Sequence, residues 1–188
     1  MDFLTPSYTK EVWVKLDVDN LKSNNNIISG RSGHAFRLIG GMADAGHSRR
    51  WTEVQDPQRI EAGWQHYAVT YDEASKTMVL YKNGEQVSIN HNVSAFNGTG
   101  ATLLGSFRRG YTYEGALDEV RVWNYARSPE DIASNYRKGL QGTEEGLISY
   151  YDFNQGVPGG ENSTLTTLMN LAGNNNGTLS GFSLTGDA

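Results

Sequence analysis

The chain has 188 residues, 22 glycines, 11% aromatic residues, no cysteine and a formal net charge of −5. That length suits one domain, the missing cysteines exclude a disulfide framework or thiolate metal site, and no run approaches the ~18 apolar residues of a membrane span. The acidic excess gathers in residues 111–188, the reverse of the basic footprint of a nucleic-acid binder.

Residues 1–16 do not read as a secretory leader. Tyr8 to Val18 alternates, with Val12, Val14, Leu16 and Val18 on one face and Glu11, Trp13, Lys15 and Asp17 on the other, which predicts a half-buried strand. Asp19 to Asn26 is a polar loop, followed by a short strand at Asn26 to Ser29. His34 to Ile39 reads as a strand, Met42 to Ser48 as an exposed loop of small and polar residues, and Arg49 to Val54 as a further strand. Trp64 to Asp72 is strand-like on both faces. Thr77–Lys82 and Gln86–Ile89 flank Asn83-Gly84, a type I′ hairpin signal. Ala101 to Ser106 predicts another strand, and Phe107 to Glu114 a loop.

Gly115 to Asn124 forms a strand in which strict alternation puts Asp118 with Val120 and Val122 on the core face, and Glu119, Arg121 and Trp123 on the other. A carboxylate on a core face needs a hydrogen-bond donor, a cation or a metal. Ser128-Pro129-Glu130-Asp131 then opens a helix, with a capping hydroxyl, proline at the first position and acids in the first turn. It is expected to run about ten residues to Gly139, docked through Ile132 and Tyr136, with Arg137 and Lys138 in its last turn. A last firm strand spans Leu147 to Phe153, and a short one is expected from Thr178 to Leu184. Many short strands and one short helix predict an all-β, two-sheet antiparallel sandwich.

Four motifs in order carry a resemblance: Trp64 to Asp72, Leu80 to Gly84, Leu104-Gly105-Ser106, and Leu117 to Ser128. They resemble the laminin-G-like jelly-roll modules of the concanavalin A-like lectin/glucanase sandwich, a type common in bacterial surface proteins. Glu11 to Leu16 is similar to a strand that family places early. Leu147 to Asn154 and Gly173 to Leu179 resemble segments with which many such modules begin, yet here they come last. The resemblance implies one jelly-roll domain over residues 1–188, cut from a larger multidomain chain or with a permuted boundary. It also implies a secreted or cell-surface setting, with neighbouring domains, glycans or surface proteins as partners.

Catalytic members of this superfold resemble laminarinases, whose paired carboxylates share one strand face, because hydrolysis needs an acid and a base or nucleophile at fixed separation. Asp118 and Glu119 are adjacent and so diverge, and no Glu-x-Asp-x-x-Glu triplet occurs, so no catalytic residue is expected. Calcium takes six to eight oxygens, and Asp118, Asp152 and Asn170 are the candidate ligands for a structural ion. The family often bridges such segments with calcium, using an aspartate where this chain has Asn170. For glycan binding the candidates are Arg49, Arg50 and Trp51 with Arg108, Arg109 and Tyr111, two arginine pairs beside aromatics in loops. Aromatic faces stack on the apolar faces of sugars and guanidinium forks hold hydroxyls, carboxylates or sulfates; Tyr113 nearby fits a core position instead. Three readings stand: a calcium-stabilised glycan-binding or adhesion module, a structural spacer or protein-contact module, and a glycoside hydrolase.

Overall fold

The computed structural model describes residues 5–17, 24–30, 33–48, 50–98, 100–107 and 111–181. The larger sheet is built outward from β1 (Tyr8–Leu16), which pairs antiparallel with β11 (Gly115–Trp123) on one side and β7 (Trp64–Asp72) on the other. Beyond β11 lies β12 (Leu147–Tyr151), and beyond β7 lie β8 (Thr77–Lys82) and β9 (Glu85–Asn90). The smaller sheet runs in the order β10 (Thr102–Leu104), β3 (Ile28–Gly30), β4 (His34–Ile39), β5 (Met42–His47) and β6 (Arg50–Gln55), with β2 (Asn24–Asn26) also paired to β4. A separate ladder joins β13 (Thr167–Leu168) to β14 (Gly177–Thr178). The result is the jelly-roll sandwich that the strand pattern predicts, with one helix, α1 (Pro129–Asn135), on the outside of the larger sheet.

Alternation explains the core. Val12, Val14, Leu16, Val69, Leu80, Val120 and Val122 are all buried, and Phe36, Leu38, Ala43, Ala45 and Val54 pack with them from the facing sheet. Val18, expected in that row, lies outside the described residues. Asn83 (φ 51) and Gly84 (φ 87) make the I′ turn between β8 and β9. On the outer face of the larger sheet Ala68, Val79 and Tyr81 enclose Ile132 of α1.

Three expectations are corrected. Met42 to Ser48 is no exposed loop: Met42–His47 is β5, buried between β4 and β6 and reached through Gly40 (φ 55) and Gly41 (φ 83). Alanine, aspartate and glycine have weak strand preference, but pairing on both edges overrides it. Asp118 does not share the core face with Val120 and Val122. Glu119 (φ 51) is the extra residue of a bulge, so Asp118 stands opposite Trp13 while Leu117, opposite Val14, turns inward. The helix keeps its Ser128 cap, whose hydroxyl accepts the Asp131 amide at 3.1 Å, but ends at Asn135, leaving Arg137 and Lys138 beyond it.

The bulge aims a buried ionic cluster under α1. Glu11 Oε1 lies 2.6 Å from Arg127 Nη1, and Glu11 Oε2 lies 3.3 Å from His66 Nε2 and 3.9 Å from Arg121 Nη1. Arg121 Nη2 meets Glu119 Oε2 at 2.5 Å and also donates to the Lys138 carbonyl beyond the helix. Burial pushes the Glu11 carboxyl up, but the His66 contact and the two guanidinium charges outweigh it and hold the pKa at about 2. This cluster fixes the helix to the sheet in one register.

The sandwich is left open between β10 and the β11–β12 edge. A cavity of about 770 Å³ lies there, walled by Leu103, Val120, Tyr151, Leu168 and Leu179 and roofed by residues 174–180.

Candidate functional site: the outer face of the smaller sheet

Lateral pairing brings polar residues into a row on the solvent side of the smaller sheet. Asn26 stands opposite Arg37, and Arg37 opposite Asp44, each on the face away from Phe36, Leu38, Ala43 and Ala45. Arg37 donates to Asp44 through Nε (2.9 Å) and Nη2 (3.4 Å), and Thr52 Oγ1 donates to Asp44 Oδ2 at 2.6 Å. Asn26 donates to the Tyr111 carbonyl at 3.4 Å and accepts from Ser29 Oγ at 2.9 Å. Asp44 is buried at the bottom of this row and Thr52 is exposed at its rim. A fork of donors and acceptors locked in place by one another is what holds vicinal hydroxyls without reorganisation.

Aromatic side chains border the row. Trp51 is 38% exposed and Tyr111 45%, and the Trp51 and Phe107 rings sit 5.6 Å apart. The Phe107 amide donates to the Tyr111 carbonyl at 2.9 Å. β6 and Phe107, far apart in sequence, therefore meet at one place. Backbone packing sets the Trp51 position, because the main chain of Arg50 and Trp51 lies directly on Gly46 where any side chain would collide. Arg50 is exposed and reaches Glu53 at 3.9 Å.

Of the candidate glycan ligands, Arg50, Trp51 and Tyr111 are placed here; Arg49, Arg108 and Arg109 lie outside the described residues. Asn26, Arg37, Asp44, Thr52 and Phe107 were missed. Recognising Gly40-Gly41 as a hairpin turn sets Arg37 across from Asp44, and that was the available signal.

The oxygens of the calcium candidates carry hydrogen bonds of their own. Asn170 Oδ1 already accepts the Tyr150 and Ala172 amides at 2.9 and 3.1 Å, so its oxygen is committed to the backbone. Asp152 accepts from Asn154 twice, at 3.3 and 3.1 Å. Asp118 takes the Glu119 amide at 2.8 Å; burial raises its pKa, the Glu119 amide opposes this, and the Glu119 and Asp152 carboxylates add to it. Among the described residues no group of three or more His, Asp or Glu side chains is placed to hold a metal. Asp118 and Glu119 also fail as a catalytic pair, since Glu119 is spent on Arg121 and on the Tyr150 hydroxyl at 2.8 Å.

Two stacked antiparallel sheets with this strand order define a lectin-type jelly roll. A family model described as the concanavalin A-like lectin/glucanases superfamily, of the laminin-G-like kind, matches residues 2–133, and the chain belongs to that superfamily. The fold is similar to that of a candidate carbohydrate-binding protein from Bacteroides ovatus, with TM-score 0.78 and 24% identity over 97% of this chain and 54% of the other. It is also similar to domain 4 of the extracellular arabinanase AbnA from Geobacillus stearothermophilus, solved with arabinotriose (TM-score 0.57, 22% identity, 69% of this chain and 66% of the other). A third is the CBM40 of the Ruminococcus gnavus IT-sialidase bound to α2,3-sialyllactose (TM-score 0.58, 16% identity, 69% and 81%). The chain spans about half the length of the Bacteroides structure. A search of curated protein sequences finds no match. No described helix is long and apolar enough to cross a membrane.

Proposed function

We propose that this chain is a non-catalytic carbohydrate-binding module acting outside the cell, and that it binds sugar on the outer face of the smaller sheet. The observation that carries this reading is the juxtaposition of exposed Trp51 and Tyr111 with the locked Arg37–Asp44–Thr52 row. A sugar ring laid on Trp51 buries its C–H face, and its hydroxyls reach the row. The similar structures solved with arabinotriose and sialyllactose are consistent with such a role for the fold. Arg37 is charge-matched by Asp44, so within the described residues the row itself suits neutral hydroxyls; Arg50 adds a cation for a carboxylated or sulfated sugar at the rim.

The test is calorimetric titration with neutral and sulfated oligosaccharides. Trp51→Ala is expected to weaken every ligand about 10- to 100-fold, the usual cost of a stacking anchor. Arg50→Ala should weaken only the anionic ligands and flatten their salt dependence. Wild-type protein that gives no heat with either class would overturn the reading and leave a spacer or protein-contact module.

A further inference from the structure

The interior between the sheets holds a group that no glycan-binding role uses. Lys10 projects from β1 into the core between Tyr8 and Val12, fully buried, with Val69 and Val122 as its strand neighbours. Its Nζ lies 2.7 Å from His34 Nδ1 and 5.1 Å from the centroid of the Tyr8 ring. The Tyr8 hydroxyl meets His47 Nδ1 at 3.0 Å, and His47 Nε2 meets the Ser94 carbonyl at 2.6 Å. A carbonyl only accepts, so His47 carries its proton on Nε2 and takes the Tyr8 O–H on Nδ1. The side chain of Phe96 packs on both imidazoles, 6.0 Å from His34 and 5.4 Å from His47, and Tyr71 stands edge-on to His47 at 4.4 Å.

The charged groups that act on this cluster come from every packed element. From β1 there is Lys10, from β4 His34, from β5 His47 and from β7 Tyr71, itself influenced by Glu73 and Asp72. No carboxylate acts on Lys10 or on either imidazole among the described residues. The segment above the cluster is anchored at Val93, which is buried in the core and donates its amide to the Lys76 carbonyl (3.0 Å). It is then held by His47 and the Tyr71 hydroxyl (3.1 Å) to the Ser94 carbonyl, and by Ser48 Oγ, which donates to the Ala95 carbonyl (2.8 Å) and Asn97 Oδ1 (3.0 Å) and accepts the Asn97 amide (3.3 Å). Arg50 and Trp51, whose backbone rests on Gly46, follow Ser48 by two and three residues.

We propose that Lys10, His34 and His47 form a proton-operated latch, in which neutral imidazoles hold residues 93–97 and Ser48 against the sandwich and acidification releases both. Its consequence for sugar affinity rests on the glycan-binding reading above; the release itself does not. Charging His47 places a second cation beside Lys10 in a site stripped of water, and the ring faces of Phe96 and Tyr71 return less than that desolvation costs. Burial holds the His47 pKa at about 4, burial followed by the Lys10 charge holds His34 well below the usual imidazole range, and burial lowers Lys10 to about 7. Both imidazoles are thus depressed when closed. The imidazoles contribute their full share to the closed state above pH 6.5 and lose it as pH falls toward 4, because they bind more protons once open.

Amide hydrogen exchange measured from pH 7.5 to 5.0, corrected for the intrinsic exchange rate, reads the latch without any sugar. Opening of residues 93–97 and 46–48 is expected to rise about 30-fold for one imidazole and up to about a thousandfold for two, roughly tenfold per pH unit below 6.5 for each. Amides of β12, at the opposite edge of the larger sheet, should keep their protection. His47→Gln, which retains a donor for Ser94, should cut the response to that of one imidazole, and Lys10→Met should shrink it, because the closed imidazoles are then less depressed and the rise levels off at a higher pH. A corrected opening that does not change with pH, or one that rises equally in β12 as global unfolding would, overturns the latch. Opening with no sugar bound at any pH would instead remove the glycan reading and leave the latch.

Discussion

The ionic cluster under the helix makes a quantitative prediction for Arg127→Met. Glu11 is fully buried, and its nearest cation is the Arg127 guanidinium at 2.6 Å. A carboxyl held at about 2 rather than 4.5 corresponds to ~3 kcal/mol of stabilisation, at about 1.36 kcal/mol per unit. Because the folded value is the lower one, this stabilisation is fully present above pH 4.5 and drains away as pH falls toward 2. Arg127→Met keeps the apolar stem but leaves Glu11 with His66 and the more distant Arg121, and forfeits the guanidinium over the Trp123 ring at 4.3 Å. Stranding a buried charge costs ~3–5 kcal/mol. Urea denaturation at pH 7 should show that loss, and repeating it down to pH 2.5 should show a shallower acid slope than in wild type. Glu11→Gln in the same background should cost much less than it does alone, since the two changes remove one interaction. A loss below ~1 kcal/mol with an unchanged acid slope would refute the assignment of Arg127 as the partner that keeps Glu11 ionised.

Val120→Ala should lose roughly 1–3 kcal/mol in the same denaturation assay, because two buried methyl groups at the centre of the core are removed. Gly84→Ala should cost ~1–2 kcal/mol, since its φ of 87° penalises a side chain and the new Cβ would meet the Tyr136 ring at 2.9 Å; a neutral result would mean the turn relaxes freely. Chelator should leave the melting temperature unchanged, because the oxygen of Asn170 is committed to two amides; a fall on chelation, restored by calcium, would show that Asp118 and Asp152 recruit an ion through other ligands.

Strand pairing around the core was legible because β-branched residues mark it: Val12, Val14 and Leu16 alternate cleanly, and Asn83-Gly84 announces its turn. What failed depended on single departures from period two. One extra residue at Glu119 moved Asp118 off the core face, and no local pattern marks which residue of a strand will bulge. Small residues concealed β5, and with it the Arg37–Asp44 pairing at the centre of the candidate site. Lys10 lies in register with Val12 and Val14, yet its charge argues for solvent; only its contacts with His34 and Tyr8 account for its place inside. Arg50, Trp51 and Tyr111 were legible as binding candidates, but that β6 meets Phe107 is a property of the folded sandwich alone.

The edge of the larger sheet is supplied from beyond residues 2–133, the stretch that the family model matches. β12 pairs with β11, and its own outer edge is then masked as Asn170 and Leu171 engage the Tyr150 backbone. A chain stopped at residue 133 would retain every strand of the smaller sheet but leave β11 with a bare row of amides and carbonyls, and would unroof the apolar cavity beside it. Such a strand invites a second copy to add itself in place of the missing one, the route to edge-to-edge aggregation. A stretch that guards its own margins therefore extends well past residue 133, where the recognisable pattern ends.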